Sequence, residues 1–398
     1  MKTQYRKKIN VCLLCIVLAV TVLTGCSGGP SPGEPGGDAP VTVTVWYSLQ
    51  GQQEQALLKQ FARINNEFPE VRVKSEKFSE SGFVQRVYNY QAGGEGPEII
   101  IARRQILFSI YEKGMISPVL ADTESLYPSA KAVFIFNKQA FAASWLTDVP
   151  LLYYRTDRIK TAPASITDII EKKGIIAAST ASLDLLSPWW IAEGGMLSAN
   201  GVPALDSAAN LTFFNKINGL KKEGRLVVDN TAWDKFKEGE IPYLLALGSD
   251  MEKISALSKN TDCIALYTLL GDKGQPLLSN TIGIANSLIK TVPEMESAIR
   301  LVEEELITST SEQEAFSAVA GLPAASDYYT AAAQPSRFQA EVGVSLQNAF
   351  YLEGSRYDWK YYQLLADAWT NINSGANTAN ELRRVQEAAV KVNDQIQK

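Results

Sequence analysis

The 398-residue sequence contains no histidine, and this absence excludes several classes of enzyme. A Ser-His-Asp triad or a Cys-His pair needs an imidazole base, so neither mechanism is available. Zinc and copper sites that depend on imidazole ligands are excluded for the same reason. A formal net charge of -5 and an isoelectric point near 5.2 argue against a surface that follows a nucleic-acid phosphate backbone. With 46% apolar and 20% charged residues, the chain has a globular composition, and its length predicts about two or three domains.

Cysteine is also scarce, with four in the chain, and two of them fall in a predicted export signal. Residues 1–9 carry four basic residues and no acidic one, and an apolar run of 13 residues follows at 11–23. Such a run is too short to span a bilayer comfortably, and its position between basic and small residues is typical of a secretory signal. The signal ends in Leu23-Thr24-Gly25-Cys26, which resembles the bacterial lipobox.

The lipobox resemblance implies that residues 1–25 are a lipoprotein signal peptide and that Cys26 carries a diacylglyceryl group after cleavage. Two acyl chains are enough for stable membrane anchoring. The alternative is an ordinary signal peptide in which Cys26 is incidental. Nine of the fourteen residues at 27–40 are Gly or Pro, so residues 26–40 are predicted to be the lipidated cysteine and a flexible tether. Only Cys263 then remains as a free thiol, and we expect it to pack in a strand.

From residue 41 onward, predicted strands and helices alternate. Strands are expected at 41–47, 71–73 and 99–102, and helices at about 53–67, 83–88 and 104–113. Regular alternation predicts a mostly parallel sheet covered by helices on both faces. Ligands bind beyond the carboxyl ends of the strands in such sheets, which points to the loops at 47–51 and 102–106.

The alternation resumes after residue 150. Strands are predicted at 151–154, 175–178, 241–246, 263–268 and 280–286, and a helix is predicted at 206–223. A loop is expected around Trp189-Trp190. The remainder is predicted to be mostly helical, with apolar residues on one face of a last helix at 382–396 and a break at Ser374-Gly375.

Five passages of this α/β region resemble a known family. They are the strand at 43–46 with its polar loop, the passage GGEGPEII at 93–100, and the stretches at 112–119, 191–195 and 236–240. The second resembles a Gly-x-Gly-Pro-Asp-Ile-Ile motif, with Glu98 in place of the usual Asp. Over residues 41–398 the chain is similar to the extracellular solute-binding proteins of ATP-driven (ABC) importers, the group that includes maltose-binding protein. The Gly-Pro turn itself is expected only to connect a helix to a strand.

The resemblance implies a type II periplasmic-binding-protein fold of class α/β. Its two lobes would each hold a mostly parallel sheet flanked by helices, with hinge crossings near 145–150, 276–281 and 321–326. The first lobe would comprise 41–147 and 280–323, and the second 149–278 and 325–398. The implied function is a monomeric, lipid-anchored receptor on the extracytoplasmic face. It would bind a carbohydrate or similar polar solute between the lobes and deliver it to an ABC permease, without a cofactor, metal or enzymatic activity.

The resemblance also implies which side chains contact the solute. Polar groups of the opening loop, a carboxylate at the first crossing and aromatic plates would hold a sugar, because amides and hydroxyls both donate and accept hydrogen bonds. The implied contacts are Tyr47, Ser48, Gln50, Arg103, Arg104, Gln105, Asp148, Asp184, Trp189, Ser249, Asp250, Trp359 and Tyr362. Tyr361 is an alternative to the last two.

Two departures from the family pattern concern arginines. Arg103 and Arg104 stand where the maltose-binding member has an aromatic plate, so maltose itself is not expected, and a sugar bearing a carboxylate or phosphate would suit them. Arg155 follows Tyr154 at a position where the family usually has Asn or Asp.

Other functions remain open from the residues alone. A glycosidase would use paired carboxylates, and Asp148 and Asp184 are the candidates. A ferric-ion receptor would use phenolates, and three tyrosine pairs occur at 153–154, 328–329 and 361–362. A surface lipoprotein that kept the fold but lost transport, such as a sensor or adhesin, is the further alternative, because fold does not fix function.

Overall fold

The structure is a computed structural model and describes residues 39–229, 231–258, 264–267, 277–288, 291–308, 321–330, 337–349 and 358–396. The predicted signal peptide, Cys26, most of the tether and Cys263 lie outside the described residues. No helix within these ranges has the length and apolar character needed to cross a membrane.

The strands are short and are spread over most of the body. In chain order they are β1 (Val41–Tyr47), β2 (Val71–Lys77), β3 (Ile99–Arg103), β4 (Ile116–Ser117), β5 (Ile135–Phe136), β6 (Gln139–Ala140), β7 (Ala143–Asp148), β8 (Pro150–Arg155), β9 (Ile176–Ala178), β10 (Ser198–Ala199), β11 (Val202–Pro203), β12 (Leu226–Val227), β13 (Tyr243–Leu247), β14 (Ile264–Tyr267), β15 (Ser279–Ser287) and β16 (Leu322–Pro323).

The helices fall between the strands and dominate the C-terminal part. They are α1 (Gly51–Glu67), α2 (Phe83–Ala92), α3 (Arg104–Tyr111), α4 (Pro128–Ala132), α5 (Ile166–Glu171), α6 (Leu183–Ala192), α7 (Ala208–Lys222), α8 (Ala232–Lys237), α9 (Met251–Ser258), α10 (Pro293–Ile307), α11 (Asp327–Thr330), α12 (Arg337–Asn348), α13 (Asp358–Asn373) and α14 (Thr378–Ile396).

Two sheets organise the described residues. The larger has the strand order β16-β7-β15-β3-β1-β2, with β4 beside β15, and the smaller has the order β12-β9-β13-β8-β14. The chain passes directly from the larger sheet to the smaller one where β7 ends at Asp148 and β8 begins at Pro150. Residues around this crossing, and strand ends next to it, contribute to the linings of the cavities described below.

The prediction of mostly parallel sheets is only half correct. β1 pairs parallel with β2 and β3, and β9 pairs parallel with β12 and β13. The remaining pairs of the two sheets, made by β15, β7 and β8, are antiparallel. Strands joined by a crossover helix must run parallel, whereas β7, β8 and β15 lie on the segments that cross between the sheets and are free of that constraint.

The first βα unit shows how the chain positions the cavity. Val43 and Val45 are fully buried in β1, and α1 begins only four residues after β1 ends. The apolar face predicted for α1 is present, since Leu57, Phe61 and Ile64 are buried. Gly51 has a φ of +60°, which glycine adopts without a steric penalty. This tight connection brings the first turn of α1 to the carboxyl edge of the larger sheet.

The prediction of a loop around Trp189-Trp190 was wrong, because both residues lie in α6. Ser182 caps the helix by accepting a hydrogen bond from the Asp184 N–H. Pro188 lies inside the helix and cannot donate to the carbonyl of Asp184, but the Ser187 hydroxyl donates to that carbonyl over 2.7 Å. The helix therefore continues through a residue that sequence reasoning treats as a helix breaker.

Candidate functional site

A polar cavity of about 480 Å³ lies at the crossing between the two sheets. This cavity, called the larger cavity below, has a volume in the range of ligand pockets, about 300–1,000 Å³. It is lined by Gln50, Gln52, Gln53, Arg103, Leu146, Thr147, Asp148, Leu247, Ser249, Asp250, Lys253, Asn280 and Gly321. None of these lining residues is aromatic, and amide, hydroxyl and charged side chains make up most of the lining. The lining thus offers many groups that both donate and accept hydrogen bonds.

Asp148 is the buried carboxyl group of the larger cavity. Its Oδ1 accepts the N–H groups of Val149 at 2.9 Å and Ser249 at 3.1 Å, and its Oδ2 accepts the Ser249 hydroxyl at 2.5 Å. Burial raises the pKa of Asp148 to about 7, against the opposing effect of these hydrogen bonds. The side chain therefore ties the first crossing to the turn at Gly248–Asp250, and it holds a proton well above the usual range for an aspartate.

Asp250 and Lys253 carry the other charges on this side. Burial raises the pKa of Asp250, and the charge of Lys253 opposes that shift. The Lys253 ammonium lies 3.6 Å from the centroid of the Trp233 ring, within the range of a cation–π contact. Both residues line the larger cavity, so a solute there meets a carboxylate and a cation from the same short segment.

A smaller cavity of about 230 Å³ adjoins the same strand ends. It is lined by Arg103, Arg104, Gln105, Val133, Ser182, Asp184, Leu277, Leu278, Ser279, Asn280, Thr281, Trp359, Tyr362, Gln363 and Ala366. Tyr362 donates its hydroxyl to Asp184 Oδ1 over 2.7 Å. The Ser279 hydroxyl and the Trp359 ring nitrogen are buried without a hydrogen-bond partner among the described residues. This cavity therefore combines two aromatic side chains with hydrogen-bonding groups still to be satisfied.

Arg103 and Asn280 line both cavities. Arg103 Nη1 donates to Asn280 Oδ1 over 3.3 Å, and Arg103 Nε donates to Glu80 over 3.1 Å. Asn280 has a φ of +48°, in the left-handed region, and lies in a bulge of β15. There Ser279 pairs with Asp148 and Ile282 with Leu146, so β15 has one residue more than β7. Bulges redirect side chains, and this one presents Asn280 at the boundary of the two cavities.

The structure brings most of the predicted contacts to these cavities. Gln50, Arg103, Asp148, Ser249 and Asp250 line the larger one, and Arg103, Arg104, Gln105, Asp184, Trp359 and Tyr362 line the smaller one. The two arginines are not equivalent. Arg104 is 8% exposed, its Nε donates to the carbonyl of Val133, and its guanidinium lies over Phe108. Arg104 is thus held within the protein, whereas the Arg103 side chain is 40% exposed and lines both cavities.

Three predicted contacts lie away from both cavities. Tyr47 is buried and donates its hydroxyl to Glu54. Ser48 is also buried, beside the end of β1. Trp189 is 2% exposed and packs edge-on against Phe213 in the core of the smaller sheet. The structure thus does not bring these three side chains to the cavities, and their assignment as solute contacts stays a prediction.

Sequence reasoning missed several lining residues. Gln52 and Gln53 occupy the first turn of α1, and their position after the predicted 47–51 loop was a usable signal. Lys253 and Asn280 had no such signal. Lys253 reaches the cavity from α9, and Asn280 reaches it only because of the bulge in β15.

Arg155 has a structural explanation. It is 8% exposed, and its Nη1 donates to the carbonyls of Phe236 at 3.2 Å and Lys237 at 2.9 Å. Asp157 completes an ion pair at 2.8 Å. Arg155 thus anchors the end of α8, and it lines neither cavity.

Metal binding finds no support within the described ranges. No group of three or more Cys, Asp or Glu side chains there has a geometry that could hold an ion. Members of the three tyrosine pairs have other partners. The hydroxyls of Tyr153 and Tyr329 donate to the carbonyls of Leu247 and Pro323, Tyr328 packs edge-on against Tyr329, and Tyr362 donates to Asp184.

Comparison with known proteins identifies the family to which this chain belongs. Residues 56–342 match the family described as bacterial extracellular solute-binding protein, which is well over half of the chain. The chain belongs to this family, which consists of solute receptors outside the cytoplasm. It is therefore an extracytoplasmic binding protein and not an enzyme, as the resemblance implied. No curated protein matches the chain significantly in sequence.

Solved structures with the same fold include several sugar receptors. The maltose/maltodextrin-binding domain MalE from Bdellovibrio bacteriovorus, bound to maltotriose, is 16% identical with a TM-score of 0.66, over 90% of this chain and 100% of that one. The GacH receptor of Streptomyces glaucescens, solved with acarbose, is 15% identical with a TM-score of 0.67, over 88% and 97%. The sugar-binding protein MalE from Xanthomonas citri is 12% identical with a TM-score of 0.71, over 90% and 98%. These similarities confirm the predicted two-lobe α/β fold.

Proposed function

We propose that the chain is a lipid-anchored receptor that binds a carbohydrate between two lobes and delivers it to an ABC permease. The observation that carries the proposal is the larger cavity. It lies at the crossing between the two sheets, and amides, hydroxyls and carboxyl groups make up most of its lining. Sugar hydroxyls are recognised by side chains that donate and accept hydrogen bonds at once. The two-lobe family fold and the sugars bound by similar structures support this assignment.

In this proposal the lobes comprise 41–147 with 280–323, and 149–278 with 325–398. Closure of the lobes on a solute would follow the hinge motion known for two-lobe binding proteins. The Asp148 side chain accepts hydrogen bonds from Val149 and Ser249 at the first crossing. It would thus keep this part of the hinge in place next to the solute while the lobes close.

A panel of solutes tests the binding function. The purified full chain is heated with neutral sugars, sugar acids, sugar phosphates and amino acids, and the unfolding midpoint is recorded. A ligand present at 100 times its dissociation constant stabilises the folded state by about 2.7 kcal/mol, which shifts the midpoint clearly. We expect a shift with sugars only. Shifts with amino acids alone would contradict the carbohydrate assignment, and no shift with any solute would favour a non-transport surface lipoprotein.

The panel also addresses the charge of the sugar. Arg103 faces both cavities and Lys253 the larger one, so an acidic or phosphorylated sugar has two cations available. Asp250 and Asp148 on the same lining favour a neutral, hydroxyl-rich solute instead. Larger shifts with sugar acids than with the matching neutral sugars, reduced in Arg103→Gln, would identify an anionic ligand.

Lipid anchoring and transport need separate tests. Cys26→Ala should release the chain from the membrane fraction. Mass spectrometry of the wild-type protein should find a diacylglyceryl group, with its two acyl chains, on Cys26. Chemical cross-linking in cells should capture permease subunits. A wild-type chain that stays unmodified at Cys26 would contradict the lipid anchor while leaving solute binding untouched.

A further inference from the structure

Asp148 and Ser249 form a short contact in the wall of the larger cavity. Both residues line that cavity, and Asp148 is buried. Asp148 Oδ1 already accepts two N–H groups, from Val149 at 2.9 Å and Ser249 at 3.1 Å. Asp148 Oδ2 lies 2.5 Å from the Ser249 hydroxyl oxygen, within the range of O–H···O hydrogen bonds. A proton on this carboxyl group is therefore placed on Oδ2, facing the Ser249 hydroxyl.

The groups around Asp148 favour its protonated form. Asp250 is a second carboxyl group in the same cavity lining, and its negative charge raises the pKa of Asp148. The Asp148 charge in turn raises the pKa of the buried phenols of Tyr153 in β8 and Tyr329 in α11. Lys253 opposes the pKa rise of Asp250, but no cation within the described ranges has this effect on Asp148. A negative charge on Asp148 is thus offset by hydrogen bonds alone.

The protonation state of Asp148 decides what Ser249 offers to a solute. A protonated Oδ2 donates to the Ser249 hydroxyl oxygen, so the hydroxyl hydrogen is free to donate into the larger cavity. A deprotonated carboxylate accepts that hydrogen instead, and the Ser249 oxygen then offers the cavity only a lone pair. Burial raises the pKa of Asp148 to about 7, so both states are populated near neutral pH.

We propose that the receptor takes up a proton at Asp148 when it binds its solute. The proposal rests on the solute-binding function proposed above. A solute in the larger cavity, together with closure of the lobes, removes water from this wall, and the loss of water disfavours the charged carboxylate. The proton also leaves the Ser249 hydroxyl free to donate to a solute oxygen. Because coupling between two ligands is reciprocal, the affinity for the solute falls as the pH rises above about 7.

Two variants isolate this proton. Asp148→Asn keeps the shape of the side chain, donates to the Ser249 hydroxyl through its amide and cannot titrate. The matched control is Glu303→Gln. Glu303 is a second buried carboxyl group whose pKa is raised to about 7 by burial, and it accepts the N–H groups of Leu120 and Ala121. It lines neither cavity, so both variants remove a buried titrating group and only one of them touches the solute site.

The measurement is titration calorimetry of the full chain with glucose, maltose and maltotriose. Repeating each titration in two buffers of different ionisation enthalpy counts the protons taken up per solute. A rise of one pKa unit on binding corresponds to uptake of about half a proton at pH 7.5 and to an affinity about fivefold lower at pH 8 than at pH 6. We expect these values for the wild type and Glu303→Gln, and neither proton uptake nor pH dependence for Asp148→Asn.

A third variant, Ser249→Ala, tests the part played by the hydroxyl. The hydrogen bond from the Ser249 hydroxyl lowers the pKa of Asp148 against the effect of burial. Without it the carboxyl group holds its proton to a higher pH, so the fall in sugar affinity should move to higher pH in Ser249→Ala. An unchanged pH profile would overturn the role given to this hydroxyl.

The outcomes separate the proton coupling from the function on which it rests. Sugar binding by the wild type without proton uptake, or with proton release, would overturn the coupling and leave the receptor function intact. Uptake that persists in Asp148→Asn, or that is lost in Glu303→Gln, would also overturn it, because the proton would then not be held at the solute site. Failure of the wild type to bind any sugar of the thermal panel would overturn the carbohydrate receptor and the coupling together.

Discussion

Replacing Asp148 with asparagine should stabilise the protein at neutral and alkaline pH. Asp148 is 3% exposed, and burial raises its pKa from 3.8 to about 7. Asparagine has nearly the same shape. Its carbonyl oxygen can accept the N–H groups of Val149 and Ser249, and its amide can donate to the Ser249 hydroxyl, so the hydrogen bonds around the side chain are kept.

The sign of the pH effect follows from the two pKa values. Below about pH 4, Asp148 is protonated in both the folded and the unfolded chain, and the residue does not make stability depend on pH. Between about pH 4 and 7 the unfolded chain releases the proton while the folded chain retains it, so the free energy of unfolding falls as the pH rises. Above about pH 7 the loss is complete. A difference of about three pKa units corresponds to about 4 kcal/mol.

Urea denaturation followed by tryptophan fluorescence at pH 4, 6 and 8 measures this effect. Asp148→Asn should equal the wild type at pH 4 and exceed its free energy of unfolding by about 4 kcal/mol at pH 8. Asp206→Asn, at an exposed position, controls for the general effect of removing one negative charge. Parallel pH profiles for Asp148→Asn and the wild type would refute the argument that this carboxyl group is protonated in the folded protein.

Three further substitutions test other buried polar groups. Glu303 is fully buried, and burial raises its pKa to about 7. Glu303→Gln should therefore raise the free energy of unfolding by about 3 kcal/mol at pH 8 and leave it unchanged at pH 4. Equal gains at both pH values would contradict this prediction. Arg155→Ala leaves the carbonyls at the end of α8 without their donor and should lower stability by about 3 kcal/mol without changing solute affinity; a change in affinity would indicate a role at the site. Asn210→Ala removes the acceptor of the Trp190 ring N–H at 2.8 Å and the hydrogen bonds to the Met196 backbone. Thermal denaturation should show that the free energy of unfolding falls by about 3 kcal/mol. A fall below about 1 kcal/mol would show that water replaces these bonds.

Local patterns in the sequence predicted most of the elements. The alternating strand at 41–47 and the amphipathic helix after it are present as β1 and α1, because burial of one face follows directly from residue spacing. Strand direction could not be predicted from such local patterns. β15 runs antiparallel to β3 because the chain returns there from the smaller sheet. In the helix through Pro188, the Ser187 hydroxyl donates to the carbonyl that the proline leaves without its helical donor, and residue spacing does not reveal this bond.

The candidate site was predictable where it follows the carboxyl ends of strands. The loop after β1 contributes Gln50, and the last residue of β3 contributes Arg103, as the rule for α/β sheets predicts. Asn280 was not predictable, because it is 177 positions from Arg103 in the chain and depends on a bulge. Trp189 was assigned to the site because the family resemblance implies aromatic plates there, but large aromatic side chains also fill cores, as this one does.

Blocking the larger cavity tests whether it is the solute-binding site. Gln53 lines this cavity from the first turn of α1, and Gln85 is exposed on α2 outside both cavities. Titration calorimetry of the sugar that stabilises the wild type most should give one site per chain. We expect Gln53→Trp to abolish binding and Gln85→Trp to leave it unchanged. Undiminished binding to Gln53→Trp would contradict the assignment of this cavity as the solute site.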